Sequence, residues 1–334
     1  MIELVRRLTD AFGVSGYEDQ IRSVIRAEVE GLADEMRVDA LGNLAVLRRG
    51  TGGGQKVMLA AHMDQIGLMV SHVDDRGYLW FTSIGYLYAL ACWGGQVRFA
   101  DGTVGTVGLD GRVNPTKALP ALRDMYVDVG ATGRAEVKQK VGDVAVFSLP
   151  FVAQGDAWFA SNMDDRIGCA VLVQLLRELR GQEITHDLYV VFTAQEEVGP
   201  RGAVVSAYAI DPDLAIAVDV TDTGDTPHAS PPMEVHMGRG VAIKVQDSGM
   251  ISHAGLNRRL MATADSAGVP YQLEVLQGGT TDAYSIQVSR QGIPTTALSL
   301  PSRYIHAPSQ IVDRRDVEAA VALLRAFVSQ PTCI

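Results

Sequence analysis

From about residue 160 onward, strand-length apolar runs alternate with stretches of helical period, and this alternation limits the fold more than any other property of the chain. DDRIGCAVLVQLLRELRG reads as an amphipathic helix that stops at Gly181. DLYVVFTA and DLAIAVDV are continuously apolar, and VEAAVALLRAFVSQ reads as a closing helix. Runs that are apolar along their whole length belong to strands covered on both faces. The pattern therefore predicts an α/β fold with a mixed, largely parallel sheet sandwiched by helices. The N-terminal part has the same character. Ser15 and Glu18 have the spacing of a capping box ahead of Ile21, Val24, Ile25, Val29 and Leu32, which recur at helical spacing. A hairpin-like segment (MRVDALGNLAVLRR), a TGGG turn and the apolar strand KVMLAA follow.

Residues 68–159 break this pattern. LMVSHV, YLWFTSI, QVRFA, TVGTVGL, MYVDVGA and VAVFSL are short β-prone runs separated by DRG, ADG, LDG and GAT turns. Such spacing predicts a small, mostly antiparallel barrel or sandwich. The layout that follows is one α/β domain made from both ends of the chain, 1–67 and 160–334, with a β-rich insert at 68–159.

The charge balance narrows the function. Thirty-nine acidic against 29 basic side chains leave a net charge of −10 on 334 residues. No basic stripe is present, which argues against a nucleic-acid partner. Cys92, Cys169 and Cys333 are too few and too scattered for a disulfide framework or a thiolate zinc site. The N-terminus lacks the apolar core of a signal peptide, and no apolar stretch approaches the ~20 residues needed to span a bilayer. A cytoplasmic protein without membrane association is the expectation.

Open α/β sheets present their functional groups at the carboxyl ends of the strands. There the chain offers His62 and Asp64 after KVMLAA, Glu196 and Glu197 after DLYVVFTA, Asp219 in DLAIAVDV, and His306 after TTALSLP, with Asp164-Asp165 ahead of the long helix. Taken singly, an HxD string or an EE pair is usually a loop accident, and a DD before a helix is ordinary capping. Together they gather at one presumed edge. Two imidazoles and several carboxylates suit divalent ions such as zinc, cobalt or manganese. So many acids in one cleft repel each other unless cations offset them, and two ions sharing a carboxylate would do so. Consecutive glutamates point different ways, which lets one bind metal while the other handles a proton.

The strings LAAHMDQIG, SNMDDRIG, FTAQEEVGPRGA, AVDVT, TTDAYSI and SLPSRYIHAPSQ, in that order, resemble the motif set of the tetrahedral aminopeptidases. These are glutamyl-aminopeptidase-like cytosolic metallopeptidases with two co-catalytic metals. The resemblance covers nearly the whole chain, and MYVDVGA resembles part of that family's inserted domain, a small PDZ-like barrel that mediates dimerisation. It implies that His62, Asp164 and Asp219 hold one divalent ion and that Asp164, Glu197 and His306 hold a second, with Asp164 bridging. It also implies that Glu196 is the general base, that Asp64 orients the His62 imidazole, and that the Asp164–Asp165 peptide is cis. The implied reaction removes N-terminal residues from short peptides through a water bridging the two metals. The implied assembly is a hollow tetrahedral homododecamer formed through the insert. Thr281 and Asp282, in a GGTTDA turn where glycine is commoner than the first threonine, and His253 before a helix, are candidate substrate contacts. Two alternatives remain at this stage: a related two-metal amidohydrolase of deacylase or carboxypeptidase type, and a non-catalytic peptide-binding relative.

Overall fold

The structure, a computed structural model, describes residues 1–331. Four strands carrying the long apolar runs lie side by side and parallel. Asp187–Thr193 pairs with Lys56–His62, which pairs with Leu214–Thr221, which pairs with Thr295–Arg303. They are buried almost throughout because both faces are covered. Alternate residues feed two cores: Val57, Leu59 and Ala61 enter one, Met58 and Ala60 the other. The first core lies under helices Ile2–Asp10, Asp19–Val29, Met163–Glu178, Ala254–Ala267 and Arg314–Val328. The second lies under Arg201–Ile210 and Asp282–Gln287.

These strands form the middle of an 11-stranded mixed sheet. The hairpin Glu35–Val38/Leu44–Arg48 extends one side antiparallel. Gln310–Asp313, Ala157–Ala160 and Val152–Gln154 extend the other. Val241–Gln246 also pairs with Thr295–Arg303 and carries Tyr271–Val275 beside it.

The six short β-prone runs become six strands of a closed antiparallel barrel: Gly67–Val73, Leu79–Ile84, Gln96–Phe99, Val104–Leu109, Met125–Asp128 and Val144–Phe147. The barrel has its own core, including Leu68, Phe81, Val97, Val127 and Phe147. Its last strand ends at Phe147, and the chain is back in the large sheet by Val152. Val152–Gln154 is exposed along its length, so no apolar period marked this return.

Two local expectations differ from the structure, and one helix was not anticipated. Ser15 and Glu18 do not form a capping box: the helix begins at Asp19, and its N-cap makes no side-chain hydrogen bond. Their side chains reach toward the cleft instead. The N-terminal segment Ile2–Asp10 is itself a helix that buries Leu4, Val5 and Leu8. Met163–Glu178 is buried on nearly every side rather than amphipathic, because the N-terminal helices and Arg314–Val328 cover the face away from the sheet.

Cys92 and Cys169 are buried and free. Burial pushes the Cys92 thiol up to about 12, which makes it an inert packing group. Cys333 lies outside the described residues. No helix among the described residues is long and apolar enough to cross a membrane.

Candidate metal centre

Because the four central strands are parallel, their carboxyl ends open on one edge, and the acids and imidazoles collect there. His62 is the last residue of its strand, and Asp219 lies two residues before the end of its own. Glu196 and Glu197 follow Thr193 after a two-residue turn, and His306 lies just past Arg303. Asp164 arrives from the other side. At Asp164 and Asp165 the backbone is non-helical and the peptide between them is cis. The Asp165 carboxylate accepts a hydrogen bond from the Gly168 amide (3.0 Å), while the Asp164 amide donates to the Gln310 side chain (2.8 Å). Gln195, Tyr304 and His306 all have φ near +60°. That region costs a non-glycine residue roughly 1–2 kcal/mol, so surrounding contacts must hold these loops in shape.

His62 Nε2 is 2.9 Å from Asp164 Oδ1 and 3.7 Å from Asp219 Oδ1. His306 Nε2 is 3.3 Å from Asp164 Oδ2 and 3.1 Å from Glu197 Oε2. The donor atoms thus fall into two triads, His62–Asp164–Asp219 and Asp164–Glu197–His306, each within 4.8 Å. Asp164 belongs to both through different oxygens.

Asp64 is fully buried just behind them. The nearest acceptor to His62 Nδ1 is the Asp64 main-chain carbonyl (3.1 Å), with the carboxylate at 3.6 Å. That carboxylate accepts instead from the Ser15 hydroxyl (2.6 Å) and from the Glu196 and Glu197 amides (2.9 and 3.2 Å). Glu18 adds an acceptor for the Gln195 amide (3.2 Å). Ser15 and Glu18 were visible in the sequence as an S-x-x-E string, but the Ser15 hydroxyl donates to Asp64, 49 residues away, and Glu18 accepts from Gly16 (2.7 Å) as well as from Gln195, 177 residues away.

The electrostatics of the cluster fit a cationic occupant. Burial first, then neighbouring acids, raise Glu196 and Glu197, and Asp219 is pushed up to about 8. Burial would lower both imidazoles, yet the carboxylates they touch reverse this. His306 rises to about 11 and His62 well above its ordinary value. Asp164 is held well below the usual carboxylate range: burial opposes this, and hydrogen bonds from both imidazoles overcome it. A cluster that can charge itself only by borrowing protons is one that a divalent ion would stabilise. Glu197 Oε1 is also buried without a partner. All the donors are nitrogen or oxygen, which suits zinc, cobalt or manganese.

Glu196 belongs to neither triad but lines the same cleft, a cavity of about 930 Å³. Thr281 also lines it, and its hydroxyl caps the next helix by accepting from the Ala283 amide. Asp282 sits behind the wall, accepting a hydrogen bond from Thr193 (2.5 Å). His253 is not among the lining residues; its imidazole caps helix Ala254–Ala267 by accepting from the Leu256 amide (3.2 Å). Tyr86 and Tyr88, from the barrel, also line the cleft, as do Asp222 and Tyr304, none of which the sequence pattern had singled out as a site residue.

The profile of the M42 glutamyl aminopeptidases matches residues 42–323. The chain belongs to this family. A protein of Acetivibrio thermocellus is 44% identical over 97% of each chain. A lysyl aminopeptidase of Pyrococcus furiosus is 34% identical over 98% of this chain and 96% of its own, and a glutamyl aminopeptidase of Lactococcus lactis 29% over 98% and 96%. The solved aminopeptidase of Desulfurococcus kamchatkensis superposes with a TM-score of 0.94 at 37% identity, covering 98% of this chain and 94% of that one. The TET1 peptidase of Pyrococcus horikoshii, which can assemble into a tetrahedron or a large octahedral shell, superposes with a TM-score of 0.89 at 31% identity, covering 98% and 99%. As an M42 member the protein is an aminopeptidase, a peptide hydrolase. Its mixed α/β sheet with a closed six-stranded barrel is the fold of the TET aminopeptidases.

Proposed function

We propose that the protein is a metal-dependent aminopeptidase that removes N-terminal residues from short peptides using two divalent ions per subunit. His62, Asp164 and Asp219 would hold one ion, and Asp164, Glu197 and His306 the other. The observation that carries this reading is the pair of triads sharing Asp164 on the edge of four parallel strands. When bound, such ions polarise a scissile carbonyl and lower the pKa of a nearby water. Glu196 supplies the proton traffic. Its carboxylate lines the cleft outside both triads, and burial raises its proton affinity. It takes a proton from the attacking water and returns it to the departing amine nitrogen. Asp64 fixes the Glu196–Glu197 backbone so that both carboxylates point into the cleft.

Residues 1–67 and 160–334 would form the catalytic domain, with the short hairpin around 152–160 completing its sheet, and the insert would carry self-association. The fold shared with the shell-forming TET1 peptidase supports a homododecamer. Substrates entering such a shell would be limited to short or unfolded peptides. In a cytoplasmic setting that places the enzyme late in peptide breakdown.

The test is Glu196→Gln beside Asp164→Asn, each measured for bound metal by elemental analysis and for release of p-nitroaniline from aminoacyl anilides. Glu196→Gln is expected to keep its metal and lose about 10²–10⁴-fold in kcat. Asp164→Asn is expected to lose metal. A Glu196→Gln enzyme with wild-type turnover would remove Glu196 as the base, and hydrolysis of N-acyl amino acids in preference to aminoacyl anilides would overturn the aminopeptidase reading.

A further inference from the structure

The side chain of the residue being cleaved must sit against the cleft wall, and the charges on that wall differ in how well they are matched. Outside the two triads and Glu196, the charged lining residues are Asp222, Lys244 and Arg303. Lys244 is fully buried, with Nζ 2.7 Å from Glu274 and 3.5 Å from Asp247, so two carboxylates already answer one ammonium. Arg303 is held in a fork by Asp225 at 2.9 and 2.8 Å. Asp222 alone has no hydrogen bond and no ion pair among the described residues, and it is exposed to the cleft.

Two aromatic rings from the barrel line the same cleft. Tyr86 and Tyr88 are 60% and 52% exposed, their rings pack edge to face at 4.9 Å, and the Tyr86 ring lies 6.1 Å from His306. After burial and the Tyr86 ring, the Asp222 charge is what raises the Tyr88 phenol. The carboxylate and the ring are therefore electrostatic neighbours. An unmatched carboxylate sharing a cleft with two exposed tyrosine rings, and with no free cation among the described lining residues, is a site for a positive charge.

We propose that Asp222, Tyr86 and Tyr88 form the subsite for the side chain of the N-terminal residue, and that Asp222 selects a cationic one, lysine or arginine. This rests on the aminopeptidase reading and deepens it. Family membership leaves the point open, because lysyl and glutamyl aminopeptidases both lie among the relatives. Asp222 touches no reacting atom in this scheme; it is a specificity-determining residue.

The experiment compares kcat/KM of the metal-reconstituted enzyme on lysyl, arginyl, leucyl and glutamyl p-nitroanilides, with Asp222→Asn, Asp222→Lys and Tyr88→Leu alongside. It also measures lysinamide as a competitive inhibitor. The wild type is expected to favour lysyl and arginyl over leucyl, with the preference weakening as salt rises. Asp222→Asn is expected to lower the lysyl-to-leucyl ratio about tenfold and to weaken lysinamide inhibition in step, the scale of one charge contact. Asp222→Lys is expected to move the preference toward glutamyl. An unchanged ratio in Asp222→Asn overturns the proposal. So does an equal loss on all four substrates, which would put the carboxylate on the α-ammonium common to them. If the wild type hydrolyses leucyl anilide but shows no cationic preference, the subsite falls and the aminopeptidase reading stands. If it hydrolyses none of the four, both fall.

Discussion

Asp64→Ala would take away the acceptor that holds the Glu196 and Glu197 amides, and the structure sets the size of the effect. The carboxylate is fully buried and receives three hydrogen bonds, of which the two from Glu196 and Glu197 (2.9 and 3.2 Å) fix the segment that carries one metal-binding acid and the proposed base. Hydrogen bonds to a charged partner contribute about 1.5–3 kcal/mol each, so the two amides set an upper bound of about 3–6 kcal/mol. Neighbouring terms are not additive and the turn can relax, so about 3 kcal/mol is the working figure. At 1.36 kcal/mol per decade that is roughly a hundredfold in kcat.

The assay is kcat on an aminoacyl anilide at rising metal concentration, with bound metal measured in parallel. Asp64 acting through the Glu196–Glu197 backbone leaves kcat low even when metal is saturating. Asp64 acting mainly through the His62 ring instead weakens metal binding, and excess metal then restores the rate. Asp64→Asn, which keeps one acceptor oxygen but turns an NH2 toward an amide donor, is expected to fall between Ala and wild type. A saturated Asp64→Ala enzyme with kcat within about twofold of wild type would refute the reasoning.

Three further outcomes follow from the same geometry. Chelation is expected to abolish activity and lower Tm, because an ion held only by the native cluster stabilises it by mass action; zinc, cobalt or manganese should restore both, and a chelated enzyme with unchanged Tm and rate would count against the metal centre. Gly168→Ala would place a Cβ 2.4 Å from the Asp165 carboxylate oxygens, displacing the group that caps the helix behind Asp164, and about 1–3 kcal/mol of stability should be lost by denaturant titration. Asp225 is depressed to about 2: burial pushes it up, but the Arg303 fork and the Met237 amide outweigh that. A folded-state pKa below the ordinary 3.8 means that the stabilisation is present above about pH 4 and is lost as pH falls toward 2. Asp225→Asn should therefore lose less stability than wild type over that acid range, and an equal loss would show that the fork is not what depresses the group.

The large sheet and the barrel could be read from the chain because each uses a local period. KVMLAA, DLYVVFTA and DLAIAVDV are apolar at consecutive positions, which a strand covered on both faces requires, and all three are central strands here. The six short runs of the insert became six barrel strands for the same reason. Where the local period misled, long-range packing was responsible. Met163–Glu178 looked amphipathic and is buried because the two N-terminal helices and Arg314–Val328 cover it. Ser15 and Glu18 had the spacing of a cap, but the Ser15 hydroxyl donates to the Asp64 carboxylate and the Glu18 carboxylate accepts from the Gly16 and Gln195 amides instead.

The sequence by itself therefore determined the layers, the insert and the edge on which the acids and imidazoles would stand, since parallel strands must end together and residues at their ends must share that edge. Only the tertiary structure decided the rest. It paired Asp164 with both His62 and His306, turned Asp64 onto the Glu196–Glu197 amides, and brought Tyr86 and Tyr88 of the barrel to the same cleft as Asp222. Those relations join residues 100 or more positions apart, and they depend on strand register and loop direction, which carry no periodic signal along the chain.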